Sequence, residues 1–76
     1  MTIIASATLG GALSLAGRFA EAQPYLEAGY EGMVGLYGPT ALETRQIGAN
    51  LVTNLQALGF AAEALVIRRR LAAAPR

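Results

Sequence analysis

The chain has no cysteine, no histidine, no aspartate and no lysine anywhere in its 76 residues. Those gaps remove most of the chemical toolkit. Zinc sites are built from Cys, His or carboxylates, covalent catalysis needs a nucleophile beside a base, and phosphoryl transfer uses a Lys with metal-holding Asp. The five acids are all glutamates, and Glu21, Glu27 and Glu31 fall where a helix would turn them to solvent. We therefore expect a protein that is not an enzyme, with no catalytic residue, no metal ligand and no cofactor. Without cysteine no disulfide staples the scaffold, so the sequence reads as cytoplasmic rather than secreted.

Charge is scarce too, at 14% of residues against 54% apolar, a balance that favours a packed helical core over a disordered tail. Residues 1–17 carry no charge. A signal peptide would place a basic region before its apolar run, whereas the first cation, Arg18, follows it. A membrane span needs about 20 strongly apolar residues, and this run is shorter and diluted by Thr2, Ser6, Thr8, Gly10, Gly11 and Ser14. A buried helix is the expectation, with no membrane partner. Residues 1–38 hold one Arg and three Glu (−2), and residues 39–76 hold five Arg and two Glu (+3). The run Arg68–Arg70 is short for a nucleic-acid site and suits the last turn of a helix, where cations meet the dipole. No nucleic acid is expected as a partner.

What the chain does contain is an internal repeat. Gly17-Arg18-Phe19-Ala20-Glu21-Ala22 returns as Gly59-Phe60-Ala61-Ala62-Glu63-Ala64, an offset of 42 residues. Leu9 and Leu13 match Leu51 and Leu55 at that offset, and Ala5 and Ala16 match Ile47 and Leu58. The stripes Ala5/Leu9/Leu13/Ala16 and Ile47/Leu51/Leu55/Leu58 have helical spacing, and each ends at a glycine suited to closing a helix. Between the copies, Gly35-Leu36-Tyr37-Gly38-Pro39-Thr40 breaks the pattern, and Thr40 is available as a cap. The pattern predicts an all-α domain over residues 1–76 with four helices, 3–16, 19–35, 40–58 and 61–73. They pair as two tandem antiparallel hairpins, repeat 1 at about 3–35 and repeat 2 at about 40–73, joined by a loop at 36–39. Met33 and the tyrosines Tyr25, Tyr30 and Tyr37 are expected in the core or along helix seams, and Pro24 is expected to bend the second helix modestly.

Asn50-Leu51 with Leu55 and Gly59, and Ala20-Glu21-Ala22-Gln23-Pro24-Tyr25-Leu26, resemble the first and second helices of the tetratricopeptide repeats of the 42-residue kinesin-light-chain-like type. Gly38-Pro39 and Thr44 match the inter-repeat loop of that family, although Ala41 and Leu42 replace its His-Pro. The segment 26–33 and the closing helix also resemble the C-terminal repeats of bacterial serine/threonine kinases. The resemblance implies a short right-handed α-solenoid that binds a protein or peptide partner on its concave face. Asn50 aligns with the family asparagine that hydrogen-bonds the bound peptide, its counterpart in the first unit is Thr8, and Asn54 lies one turn further on. Asn50 and Asn54 as plain solvated positions are the alternative. Two repeats fall below the three or so that such arrays need, so a self-associating chain, or a terminal piece of a longer array or kinase-linked protein, stays open. Ile3, Ile4 and Leu15 would form the seam of a homo-oligomer.

Overall fold

The computed structural model describes residues 2–72, and among them there are four helices and no strand. They are α1 (Ile3–Leu15), α2 (Phe19–Tyr37), α3 (Leu42–Ala57) and α4 (Ala61–Ala72). Ala73, to which the sequence pattern extends the last helix, lies outside the described residues.

Both hairpin turns use the same hydrogen bonds. Gly17 (φ 80°) and Gly59 (φ 86°) take the left-handed conformation, which costs most L residues roughly 1–2 kcal/mol and glycine nothing. After α1 the Arg18 N–H donates to the Leu13 carbonyl at 2.9 Å, and the Gly17 N–H to Ser14 at 3.0 Å. After α3 the Phe60 N–H donates to Leu55 at 2.8 Å, and the Gly59 N–H to Gln56 at 3.1 Å. These bonds occupy carbonyls that a helix end would otherwise leave without partners. The 42-residue offset in sequence is thus an offset between two copies of one backbone motif.

The helices approach closely because small residues line their contacts. A Cβ at Gly10 would lie 2.9 Å from the Leu26 backbone nitrogen, and one at Gly29 would lie 2.9 Å from Ala7 Cα. Gly10 meets Leu26, Ala7 meets Gly29 and Ile3 meets Gly32, so numbers rise along α1 as they fall along α2. The pair is antiparallel. Helices α2 and α3 run antiparallel likewise, with Thr44 bonded to the Met33 carbonyl, Gly48 against Tyr30, and Asn54 bonded to Phe19 and Gln23. Consecutive helices pack on one another and α1 also touches α3, whereas the backbones of α2 and α4 stay apart and are spanned by the Arg70–Glu31 side-chain pair. The thinnest dimension, 14 Å, fits two helix layers with axes about 9 Å apart. One layer holds α1 and α3, and the other holds α2 and α4.

The core is centred on α2 and α3: Leu26, Tyr30 and Met33 interlock with Ile47, Leu51 and Leu55. Ala22 and Ala64, equivalent in the two repeats, are both sealed at 0% and 1% exposure. Three details depart from the sequence pattern. In α1 the buried residues are Ser6 and Gly10, while Ala5 and Ala16 of the expected stripe are exposed and Leu9 and Leu13 half-buried. Close backbone contact with α2, rather than side-chain bulk, sets that face. Helix α2 continues through Gly35 to Tyr37 and stops at Gly38 (φ 84°), leaving Tyr37 exposed. Helix α3 starts at Leu42 with Ala41 as an extended N-cap residue that makes no side-chain bond, so Thr40 does not cap it.

Candidate functional site

Helix α3 has three neighbours, α1, α2 and α4, and packs against all of them. Its buried positions include Thr44, Ile47, Gly48, Leu51 and Leu55, and its exposed residues include a polar stripe at Gln46, Asn50 and Thr53. That stripe lies beside α1. Asn50 and Thr8 are both exposed and line one shallow depression of about 230 Å³, bordered also by Ala7, Gln46 and Ile47. A second depression of about 340 Å³ is lined by Gly11, Ser14, Leu15, Phe19, Asn50 and Thr53. Asn50 stands between the two. Gly11 of α1 faces it, and a Cβ there would lie at an ordinary contact distance of 3.7 Å from Asn50 Nδ2.

The chemistry of this face is neutral. Amides and hydroxyls alternate with small apolar patches, and Glu43 is the one charged side chain lining either depression. The Asn50 amide offers both a donor and an acceptor, which is what a peptide backbone requires. Leu15, at 92% exposure, and the half-buried Phe19 supply apolar area at one end. Both depressions sit near or below the roughly 300 Å³ at which enclosed small-molecule pockets begin.

No family model, curated protein or solved structure matches this chain. The face must be read from its own residues.

Of the three residues singled out from sequence, Thr8 and Asn50 come together on the α1/α3 face and Asn54 does not join them. Asn54 is fully buried. Its Nδ2 donates to the Phe19 carbonyl at 2.9 Å and to Gln23 Oε1 at 2.8 Å. The backbone acceptor fixes which end of the amide faces α2, because an oxygen turned toward the Phe19 carbonyl would repel it. Asn54 Oδ1 is buried and finds no partner among the described residues. Asn54 is thus a tie between α3 and the first turns of α2, and a partner cannot reach it. Gln46 and Thr53, which the sequence reading passed over, take their place beside Asn50. Their signal was present as a polar stripe at spacings of four and three on the side of α3 away from Leu51 and Leu55.

Among the described residues, no helix is long and apolar enough to cross a membrane.

Proposed function

We propose that this chain is a non-catalytic interaction module of the tetratricopeptide kind, which holds an extended peptide of a partner protein across α1 and α3. One observation carries the reading: Thr8 and Asn50, equivalent positions of the two repeats, line the same depression. Asn50 donates to a peptide carbonyl and accepts from a peptide N–H, Thr8 adds a second anchor one repeat away, and an apolar side chain settles against Leu15 and Phe19. The packing of α1 on α3, while the backbones of α2 and α4 stay apart, supports reading the α1/α3 layer as the concave side. A cytoplasmic setting suits a scaffold that uses no disulfide.

Selection from a displayed library of random peptides on the immobilised chain tests this. Selected peptides are expected to lose about tenfold in affinity for Asn50→Ala, since two hydrogen bonds are worth about 1.4 kcal/mol or more. Thr8→Val should weaken them about threefold. Peptides that bind both variants as well as they bind the unaltered chain would remove the face from consideration.

A second reading, self-association, has its own support. Ile4 (57%) and Leu15 (92%) on α1, and Leu65 (44%) and Val66 (52%) on α4, are large apolar residues left open. Ile3, grouped with Ile4 and Leu15 as an outer seam in the sequence, instead packs against the core beside Gly32. Under the peptide-binding reading the midpoint of thermal unfolding, followed by circular dichroism, does not change over a roughly hundredfold range of concentration. A midpoint that climbs with concentration favours association.

A further inference from the structure

The opposite side of the molecule carries a groove of different chemistry. The backbones of helices α2 and α4 stay apart on either side of α3, and between them opens a groove of about 270 Å³. Its apolar surface comes from Leu51 and Leu55 of α3 and from Val66 and Ile67 of α4. Acids line its edges: Glu27 and Glu31, one turn apart on α2, and Glu63 across the gap on α4. Like charges one helical turn apart repel, and cations placed between them relieve that repulsion. Among the described residues Arg70 pairs with this edge, its Nη1 3.4 Å from Glu31 Oε1 with both side chains more than half exposed. That is a weak surface pair. Glu21, by contrast, is held by a two-pronged contact with Arg18 at 2.8 Å, and it lies outside the groove.

We propose that the α2/α4 groove docks a basic amphipathic helix from a partner protein. Its apolar side chains enter between α2 and α4, and its Arg or Lys residues pair with Glu27, Glu31 and Glu63. Charge complementarity selects this occupant: three carboxylates and one arginine edge an apolar floor. The chain as a whole carries a net charge of +1, so its overall field gives no help to a cationic ligand and binding reports the local acids. The space suits a few side chains rather than an enclosed small molecule. The groove shares no lining residue with the depressions around Asn50, so the two surfaces can be tested separately.

The probe is a fluorescently labelled synthetic helix of about 18 residues, with leucines along one face and arginines flanking them, read by anisotropy against the full chain. Its counterpart carries Glu at every Arg position. The arginine peptide is expected to bind, to weaken as salt is raised, and to lose about tenfold for the double variant Glu27→Gln/Glu63→Gln. The glutamate peptide is expected not to bind, and Asn50→Ala to leave the arginine peptide's affinity unchanged. Both glutamates are exposed, and helicity measured by circular dichroism shows whether the variants stay folded. Equal binding of the two peptides overturns the proposal, as does binding that survives the double variant. Sedimentation is the remaining arm: a self-associated chain that the same double variant renders monomeric would assign the groove to a second copy and overturn it too. Loss of the arginine peptide on Asn50→Ala alone would refute the groove and leave the α1/α3 reading standing.

Discussion

Alanine at Gly29 is expected to lower the melting temperature sharply, whereas alanine at Gly35 in the same helix raises it. In a helix interior the Gly→Ala change favours folding by about 0.5–1 kcal/mol through backbone entropy and propensity. At Gly35 nothing lies within 4 Å of the added methyl, so that gain appears undiminished. At Gly29 the methyl would meet Ala7 Cα at 2.9 Å and Ala7 N at 3.1 Å. Those are backbone atoms, and no rotamer change moves them out of the way. Helices α1 and α2 must separate, and overpacking of this kind costs about 3 kcal/mol or more, which outweighs the propensity gain. A domain of this length has roughly 4–11 kcal/mol in total, so a net loss of about 2 kcal/mol is a large share of it. Thermal unfolding followed by circular dichroism should show Gly35→Ala up by about 2–8 °C and Gly29→Ala down by about 10 °C or more. A harmless Gly29→Ala would mean that α1 does not lie against α2 as described.

The second large effect is at Asn54. Asn54→Asp keeps the shape of the side chain but turns the group facing the Phe19 carbonyl and Gln23 Oε1 from a donor into an acceptor. A buried carboxylate facing two oxygens is an uncompensated charge, and the expected loss is about 3–5 kcal/mol. The loss should be smaller at acid pH. Burial favours the protonated acid in the folded state, so that state holds more protons than the unfolded chain and the variant's stability falls as pH rises. Asn54→Ala gives up both hydrogen bonds but buries no charge, and should cost about 2 kcal/mol. Chemical denaturation at neutral and acid pH checks both. If Asn54→Asp matched the unaltered chain, the buried tie between α3 and α2 would be wrong.

The two turns were legible in the sequence because Gly17 and Gly59 each follow a regular apolar stripe, and only glycine takes their backbone angles without strain. The stripe Ile47/Leu51/Leu55 was legible for the same reason: large apolar residues at helical spacing declare the face they bury. In helix α1 the stripe Ala5/Leu9/Leu13/Ala16 marked the helix but not the face it buries. The helix is apolar on all sides, and the residues it buries, Ser6 and Gly10, are small. What recommends them is the space they leave for α2, which periodicity does not measure. Asn54 was misplaced for a geometric reason. At about 100° per residue, four positions rotate a side chain about 40° past a full turn, and on α3 that step carries Asn54 from the open edge at Asn50 under the cover of α2. The pairing of Thr8 with Asn50 was readable, because the 42-residue offset puts them in equivalent places. The acidic groove was not, since Glu27, Glu31 and Glu63 come together only once α2 and α4 are set on either side of α3.

The most direct test of the binding reading is a two-dimensional amide spectrum of the isotopically labelled chain, recorded while a library-selected peptide is added. Shifts centred on Thr8, Gly11, Asn50 and Thr53, with the Asn50 side-chain amide among the largest and the Asn54 amide little changed, are the expected result. Shifts confined to α4 and the outer side of α2, with Asn50 unmoved at saturation, would contradict it.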